Sequence, residues 1–293
     1  LTPTGITTVG PRVIKLNANG DLQWKKIYAI SYQYPSANKP VIRQTSDGGY
    51  VVVLSVDLYG RFSVLKLNQA GDVTWAKTYD PPPDGGGTYS SLSYSIQQTP
   101  DMGYVLIGSY ILSSGTSTPN RYFFAKLDSS GNITWAKAYS DIGYGWHSNV
   151  WVTSDQGFIV AITYSYLAGT YNYWILKFDA NGNVEWQKTY GGGNQDLPSS
   201  IQQTLDGGYI IAGRTDSFGA GSYDIWIIKI PQDGIMSFNS TSNASARDTN
   251  VIPSDISIVS SNVNVTATNS NATVVNTSAI VVDVNLTVTT QAP

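Results

Sequence analysis

A short hairpin motif recurs five times in this chain, and the repetition constrains the fold more than any single residue does. In each copy a lysine lies five residues before a glycine and nine residues before an aromatic side chain. The lysines are Lys15, Lys66, Lys126, Lys177 and Lys229, and the glycines are Gly20, Gly71, Gly131, Gly182 and Gly234. Successive copies are 51, 60, 51 and 52 residues apart. A fixed period of this size indicates a repeat architecture.

A second motif alternates with the first and occurs four times. It is a Thr-x-Asp-x-Gly sequence followed by Tyr or Phe, with anchors at Asp47, Asp101, Asp155 and Asp206. Asp-Gly and Gly-Gly between apolar runs predict tight strand connections, because glycine supplies the positive φ that such turns need. The hairpin motif turns through Asn-x-x-Gly or Asp-x-x-Gly, where the Asn or Asp side chain bonds to its own backbone.

Each period therefore predicts four short strands, which in the last full copy are about 200–204, 209–213, 224–230 and 235–238. The runs YIIAG and IWIIKI are almost wholly apolar, which fits sheets covered on both faces, and no segment has a sustained helical period. Four antiparallel strands in about 50 residues predict an all-β fold of β-propeller blades. The alternatives are a β-solenoid, whose coils are shorter at roughly 20–30 residues, and a string of small sandwiches.

The two motifs together resemble the propeller-like repeats of secreted and cell-surface proteins of archaea and bacteria. The resemblance rests on DGGYIIAG and on a pattern of the form WILKFDANGNVEWQKTYGG, and it covers residues 10–240. It implies a propeller fold and a secreted or cell-surface location, and it is silent on activity. Because such arrays often carry more copies, it also implies a small propeller or one completed by other strands.

The two motifs are present in unequal numbers, which bears on blade count. The N-terminal hairpin, residues 13–27, has no second motif before it. Propellers commonly close by pairing strands from both termini, and an unpaired hairpin would leave backbone edges that invite association. The count is four blades plus an appended hairpin, or five with a composite blade, and we favour five. The C-terminal tail or a neighbouring molecule would supply the missing strands.

The chain divides into an N-terminal extension (1–9), the repeats (10–240) and a tail (241–293) rich in Ser, Thr, Asn and Val. Past Arg247 the tail has no Lys, Arg, Trp, Tyr or Phe. Residues 279–289 alternate between apolar and polar and predict a strand. A free strand of this kind is an aggregation hazard, so we expect it to pair with a sheet edge, its own or a neighbour's. The extension, residues 4–9, is a second candidate for a donated strand.

Seven Asn-x-Ser/Thr sequons predict covalent N-glycans, which require an external surface. Six of them fall within the last 55 residues, and the alternative for that segment is a plain polar linker. The candidate glycosylation sites are Asn132, Asn239, Asn243, Asn264, Asn271, Asn276 and Asn285.

Composition excludes several classes of partner. A net charge of −3 with 13% charged residues gives no basic surface for nucleic acid. No run reaches the 18 or so apolar residues that a membrane span needs. A chain that begins at Leu1 fits a secreted protein after signal-peptide removal, or an artificial boundary. The absence of cysteine assigns no compartment.

Catalytic chemistry has little support in the sequence, and we predict no enzyme, no catalytic residue, no cofactor and no metal ligand. Nucleophilic triads and zinc sites need histidine or cysteine, whereas His147 is the single histidine and there is no cysteine. Paired carboxylates of the glycosidase type are formally open, but most acidic residues sit at repeat positions, which indicates turn chemistry. The turn at 179–183 has Gly182 at position four, where an EF-hand has glycine at six, so structural calcium stays an alternative.

The repeated lysines are predicted to lie on the less buried face of their strands, and either to extend between blades or to pair with a repeat Asp. A ring of lysines that binds an anion is the alternative. Recognition on repeat scaffolds is more often a property of loops, and three irregular insertions stand out, at 31–39, 80–91 and 113–121. Their aromatic neighbours, such as Tyr32, Tyr34, Tyr144 and Trp146, could stack on sugars or proteins or could pack within the loops.

These features predict an extracellular structural protein, a subunit of a glycosylated filament or layer that assembles by β-strand addition. A head-to-tail contact of that kind gives an open homopolymer. The alternative is a monomeric surface adhesin, or a propeller module that binds a glycan or a surface protein through its loops.

Overall fold

A computed structural model of the chain contains β-strands as its only regular elements over the residues it describes. Those residues are 7–9, 11–32, 40–55, 61–80, 88–113, 120–139, 148–167, 169–236, 245–248, 254–255, 259–262 and 266–269. The predicted all-β class is confirmed. Within these ranges there is no helix long and apolar enough to cross a membrane.

The strands form a half-blade followed by four blades, arranged as a β-propeller. The half-blade contains β1 (Thr7–Val9), β2 (Arg12–Leu16) and β3 (Leu22–Tyr32). Blade 1 contains β4 (Val41–Gln44), β5 (Tyr50–Ser55), β6 (Phe62–Leu67) and β7 (Val73–Asp80). Blade 2 contains β8 (Thr88–Gln98), β9 (Tyr104–Ser113), β10 (Asn120–Leu127) and β11 (Ile133–Tyr139). Blade 3 contains β12 (Ser148–Val152), β13 (Phe158–Leu167), β14 (Thr170–Phe178) and β15 (Val184–Gly191), and blade 4 contains β16 (Asp196–Gln203), β17 (Tyr209–Thr215) and β18 (Asp224–Ile230).

The tail follows the outer rim of the propeller. Its strands are β19 (Ser245–Asp248), β20 (Ser254–Asp255), β21 (Val259–Asn262) and β22 (Thr266–Asn269). They pair antiparallel with β15, β11, β7 and β3 in that order. The tail therefore runs backwards from blade 3 to the half-blade and adds a fifth strand to each of blades 1–3, beyond the four predicted from the repeat.

The described part of the N-terminal extension pairs within its own chain. Val9 faces Ile30, and Arg12 faces Ile27 in the same register. Between these pairs the Tyr28 amide donates to the Pro11 carbonyl at 3.1 Å. Strands β1 and β2 are therefore one interrupted strand along β3.

Within the described ranges, blade 4 has three of the four strands that the repeat predicts. The final copy predicts strands at 209–213, 224–230 and 235–238. The strands at 209–213 and 224–230 form as β17 and β18. Ile235 and Met236 are not in a strand, and residues 237–238 lie outside the described ranges. The preference for five blades is wrong over the described residues: the tail supplies rim strands and does not complete the half-blade, so four blades and a half-blade remain.

The Asp turns form as predicted, and two of them carry backbone strain. The residue after the Asp adopts positive φ in every copy, 77° at Gly48 and 83° at Gly207. Met102 and Gln156 occupy the same position with φ of 65° and 70°, a conformation that is costly for a residue with a side chain. The second glycine is required by space, because a Cβ on Gly103 would lie 2.3 Å from the Leu127 carbonyl oxygen.

The core consists of four hydrophobic clusters, one between each pair of consecutive sheets. Tyr28 of the half-blade packs with Leu65 of blade 1, and Val64 of blade 1 packs with Phe123 of blade 2. The next two clusters join blade 2 to blade 3 and blade 3 to blade 4 in the same way. Within the described ranges no cluster joins blade 4 to the half-blade.

A repeated aromatic contact fixes each of these junctions. The Trp of one sheet lies over the turn glycine of the next, so closely that a Cβ on Gly182 would be 2.5 Å from Trp135. Three of the four indoles donate to a carbonyl of the neighbouring turn, Trp24 to Gln69 among them at 3.2 Å. At the same three junctions a Tyr hydroxyl donates to the carbonyl of that glycine, as Tyr79 does to Gly131 at 2.7 Å. We call the packing of the Trp on this glycine, together with the Tyr hydrogen bond where it is present, the Trp–Gly–Tyr junction contact; at Gly182 it consists of the Trp135 packing.

The junction contact predicts a difference between two chemically identical substitutions. Gly182 and Gly20 have similar φ, 79° and 85°, but nothing lies within 4 Å of a Cβ built on Gly20. Gly182→Ala and Gly20→Ala are both destabilised because alanine disfavours the left-handed backbone conformation. Only Gly182→Ala also displaces a Trp. We expect Gly182→Ala to lower the free energy of unfolding by about 1–3 kcal/mol more than Gly20→Ala, as measured by chemical denaturation. Equal losses would contradict the contact.

Candidate assembly surfaces at the two ends of the propeller

The outer face of blade 4 exposes apolar side chains that are buried in the other blades. Ile225 is 82% exposed and Ile227 is 59% exposed. Their counterparts, counted from the repeat lysine, are at most 1% exposed; they are Phe62, Tyr122 and Tyr173 for Ile225, and Val64, Phe124 and Ile175 for Ile227. In blades 1–3 this face packs against the next sheet. Blade 4 therefore presents a surface built for sheet packing, and we call it the blade 4 end face.

Neighbouring residues on β17 extend this face. Ile210 is 38% exposed and lies opposite Lys229 in the β17–β18 ladder. Arg214 lies opposite Ile225, and its guanidinium stacks over the Tyr223 ring at 4.6 Å. An apolar centre with a cationic and aromatic border is the composition found at protein interfaces.

The half-blade has the opposite face uncovered. Ile14 is 50% exposed and Leu16 is 47% exposed. Their blade 1 counterparts, Leu65 and Leu67, are fully buried against the half-blade. Leu22, which lies opposite Leu16, is 39% exposed. In blades 1–4 the corresponding face packs against the preceding sheet. In the half-blade this face is exposed, and we call it the half-blade end face.

The turn of the half-blade also lacks its junction contact. Gly71, Gly131, Gly182 and Gly234 each have an indole ring from the preceding sheet at 2.5–3.0 Å from the position of a Cβ. Gly20 has the same positive φ and nothing within 4 Å. No described residue therefore occupies the position that a preceding sheet would take at the half-blade.

Two backbone edges accompany the two end faces. Over the described residues β18 pairs only with β17, although β7, β11 and β15 occupy the next position in blades 1–3. Strand β2 likewise pairs only with β3. Unpaired strand edges are templates for pairing with further chain.

The repeated lysines of the four blades pair with the repeat aspartates, which is one of the two alternatives predicted for them. The Lys66 Nζ donates to Asp47 Oδ2 at 2.7 Å and to the Leu67 carbonyl at 3.0 Å. Lys126 and Lys177 repeat this pair with Asp101 and Asp155 at 2.6 and 2.8 Å. Each carboxylate so engaged is used within its own blade.

The prediction that these lysines lie on the less buried face of their strands is wrong for three of them. Lys66, Lys126 and Lys177 are 2–8% exposed, because both faces of their blades are covered by neighbouring sheets. The Lys229 side chain is 55% exposed although it pairs with Asp206 in the same way, since no sheet covers the blade 4 end face. Lys15 has no Asp motif in its half-blade and lies 5.8 Å from the Tyr50 ring centre in blade 1.

These hydrogen bonds lower the pKa values of the aspartates. The hydrogen bond from Lys66, supported by the Thr45 hydroxyl and the Gly49 amide, lowers the pKa of Asp47 to about 2. The corresponding bond from Lys229 lowers the pKa of Asp206 to about 2. Carboxylates with these pKa values are ionised at neutral pH and are poor proton donors.

Among the described residues, the buried carboxylate of Asp196 has hydrogen-bond donors but no cation beside it. Asp196 is fully buried and accepts hydrogen bonds from the Thr215 and Ser217 hydroxyls at 2.5 and 2.9 Å and from the Gly192 amide at 2.8 Å. Burial raises the pKa of Asp196 above its ordinary value, although these bonds oppose the change. The contacts tie the loop before blade 4 to the end of β17, which is a structural role.

A cleft of about 500 Å³ lies between blade 3 and blade 4. Lys177 bridges the carboxylates of Asp155 and Glu185 there, at 2.8 Å from each. Trp186 and Tyr209 form the aromatic part of the lining. The cleft therefore combines aromatic rings with two acidic groups held by one lysine, an arrangement that sequence analysis did not predict.

Most of the predicted glycosylation sites lie outside the described residues. Asn132 is the exception: it is exposed at the turn between β10 and β11, where its amide nitrogen donates to Asp128 at 2.8 Å and its oxygen accepts from Lys77. The sequons outside the described ranges are Asn239, Asn243, Asn264, Asn271, Asn276 and Asn285. His147, Tyr34, Tyr144, Trp146 and the greater part of the three insertions also fall outside, as does the predicted strand 279–289.

The turn that resembles a calcium loop uses its carboxylate internally. Asp179 Oδ1 accepts from the backbone amides of Asn181 and Asn183 at 2.9 and 2.8 Å, and Oδ2 accepts from the Asn183 side chain at 2.9 Å. These hydrogen bonds hold the pKa of Asp179 below its ordinary value against the effect of burial. No cluster of three or more His, Cys, Asp or Glu suited to a metal ion occurs in the described part of the chain.

Comparisons with known proteins give similarities to solved structures alone. No family model matches the chain, and no curated protein matches it. Among solved structures, a GH43 β-1,3-galactosidase bound to galactodeoxynojirimycin aligns with a TM-score of 0.29 and 8% identity, over 78% of this chain and 97% of the other. A similarity of this size assigns neither substrate nor activity.

The Lys–Asp pairs predict a specific acid sensitivity. Because the folded-state pKa of Asp47 is about 2 and the ordinary value is 3.8, its stabilising effect is complete above the ordinary value and is lost as the pH falls through about 2. Lys66→Met removes the donor. We expect its free energy of unfolding to fall less steeply than that of the wild type between about pH 4 and about pH 2.

Denaturant titrations over that pH range measure the effect. Lys25→Met, on the half-blade, is the control and should retain the wild-type slope. If the Lys66→Met and wild-type curves run parallel, the lysine does not set the pKa of Asp47.

Proposed function

We propose that this protein is an extracellular structural protein, a subunit of a glycosylated cell-surface filament or layer that assembles by β-strand addition between subunits. The observation that carries the proposal is the pair of exposed apolar end faces on blade 4 and on the half-blade. Contiguous exposed apolar surface on a folded protein marks an interaction site.

The two end faces are complementary in kind. The blade 4 end face corresponds to surfaces that contact the following sheet, and the half-blade end face corresponds to surfaces that contact the preceding one. Stacking the half-blade of one subunit on blade 4 of another therefore continues the packing already present four times within the chain. Burying Ile225 and Ile227 in this way would contribute roughly 1.5–3 kcal/mol each.

The geometry of such a contact favours a polymer over a closed dimer. The two faces are different surfaces on opposite ends of the array, so the contact is heterologous. A heterologous contact that does not close into a ring produces an open filament. A free β18 edge beside the blade 4 end face adds main-chain hydrogen bonding to the same junction.

The tail fits an external, glycosylated polymer. Its rim strands lie on blade edges rather than on the end faces, and six sequons fall in the same part of the sequence. Glycans on the tail would coat the polymer and leave the end faces available. We propose a structural rather than catalytic role, because the repeat aspartates of the described blades are engaged by lysines and turn amides.

A charge on the blade 4 end face should prevent assembly. We expect Ile227→Lys to abolish polymers, because a lysine would be buried without a partner at the junction. Leu205→Lys is the matched control: Leu205 is fully exposed on the same blade, in the turn before β17, and lies outside the end face. Negative-stain electron microscopy and size-exclusion chromatography with light scattering give the assembly state.

The proposal predicts polymers for the wild type and for Leu205→Lys, and monomers for Ile227→Lys with an unchanged unfolding transition. A wild-type protein that stays monomeric at all concentrations would contradict it, as would wild-type polymers from Ile227→Lys.

A second candidate function, a carbohydrate-binding surface module, is favoured by the cleft between blades 3 and 4. Aromatic rings and carboxylates are the groups that stack on sugars and accept their hydroxyl hydrogen bonds. Trp186, which is partly buried, supplies the ring, and Asp155 and Glu185 supply the acceptors.

A conservative substitution of Glu185 tests this candidate function. Glu185→Gln keeps the side-chain size and leaves the Lys177–Asp155 pair in place, so we expect the fold to survive and glycan binding to weaken about tenfold. A glycan array with wild type, Glu185→Gln and the distant control Asp21→Asn measures it. Failure of the wild type to bind any glycan would remove the candidate.

A further inference from the structure

We infer that the free edge of β18 accepts residues 279–289 of the adjacent subunit, so that the tail of one copy completes blade 4 of the next. The inference rests on the proposed assembly and names its donor and its acceptor. The occupant is a second copy of this chain, and the segment is the part of the tail that lies beyond the last described strand.

Blade 4 is the sheet that needs a strand. Blades 1–3 each place a strand beside β6, β10 or β14, but nothing in the described part of the chain occupies that position beside β18. Met236, at the position where that strand begins in blades 1–3, is not in a strand, and the residues that follow it lie outside the described ranges. The row of β18 amides and carbonyls on this side is therefore open, and a sheet edge of this kind binds an added strand through main-chain hydrogen bonds.

The path of the tail leads away from its own blade 4. The rim strands β19, β20, β21 and β22 pair in turn with blade 3, blade 2, blade 1 and the half-blade. The tail therefore passes the sheets in the reverse of their chain order. At Asn269 the tail is on the rim of the half-blade, the last sheet in that direction. The next rim position belongs to whichever sheet covers the half-blade end face, and in the proposed polymer that is blade 4 of the neighbour.

The chain beyond Asn269 is long enough for this step. Connections of three to five residues carry the tail from one blade to the next, at 249–253, 256–258 and 263–265. Residues 270–278 provide a longer connection, which spans up to about 30 Å when extended. A further step to an adjacent sheet is therefore within reach, with slack for either strand direction.

The sequence of the segment suits a strand that is buried on one side. In an extended conformation Ile280, Val282, Val284, Leu286 and Val288 would share one face. The other face would carry Asp283, Asn285, Thr287 and Thr289, including the last sequon. One face can therefore join the apolar junction while the other presents a glycan to solvent.

The other free edge fits the tail less well. Strand β2 is open on the side where strands 1 and 2 of a blade would lie, which is the side away from the rim. The tail strands all attach on the rim side of β3, β7, β11 and β15. Residues 279–289 therefore meet β18, which is open toward the rim, before they meet β2.

Cysteine cross-linking in the full chain tests the pairing, because the protein has no native cysteine. One tagged variant carries Ile225→Cys, and a second, differently tagged, carries Val282→Cys, Val284→Cys or Leu286→Cys in turn. The two are mixed under assembly conditions and treated with a short bismaleimide. We expect a cross-linked species near twice the chain mass of 31.6 kDa that carries both tags. Ser130→Cys, exposed on a turn of blade 2, replaces Ile225→Cys in the control and should give none.

A chain with both cysteines, Ile225→Cys and Val284→Cys, separates the remaining outcomes. Polymers without a cross-link between copies, or with a link only within one chain, overturn the donor assignment and leave the proposed assembly standing. A monomer by light scattering with a link inside the chain overturns both, because the tail then completes its own blade 4.

Discussion

Packing between consecutive sheets is the interaction on which this structure depends. A blade of the repeat has two apolar faces and can cover neither of them alone, so each sheet is stabilised by the one before it and the one after it. The Trp–Gly–Tyr junction contact fixes the spacing: the indole fits because the turn residue has no Cβ, and the Tyr hydroxyl satisfies the carbonyl of that glycine. Positive φ and close contact select glycine at the same position for two independent reasons.

A finite array held together in this way has two faces left over. Among the described strands, no sheet precedes the half-blade and none follows blade 4, and both expose side chains whose counterparts are buried in the other blades. The last hairpin carries Phe238 where the earlier copies carry Trp, so the sequence also stops providing the indole of the junction contact at this point. The rim strands of the tail cover edges and not faces. The two ends are therefore the part of the protein where apolar faces remain exposed, and the proposed assembly buries them.

The repeat made much of this fold predictable from the sequence. Turn positions and the Lys–Asp pairing follow from local chemistry that is repeated in each copy, as at Lys66 and Asp47. The burial of Lys66 was mispredicted because alternation along one strand does not reveal that both faces of its sheet are covered. Two further features could not be predicted from the repeat: β18 has no following strand in the part of the chain that the structure describes, and β19–β22 run along the rim. Short strands on sheet edges pair through backbone atoms over long sequence distances, and side-chain patterns carry little information about them.

The end faces could not be found from the sequence either, since Ile227 and its buried counterpart Val64 look alike in their motifs. Hydrogen exchange of the β18 amides, compared between the assembled and the dissociated protein, tests the central claim most directly, with β6 of blade 1 as an internal reference. The account predicts that the β18 amides that point away from β17 exchange rapidly in the dissociated chain and as slowly as the amides of β6 once assembled. Slow exchange of these β18 amides in the dissociated chain, or rapid exchange in both states, would contradict it.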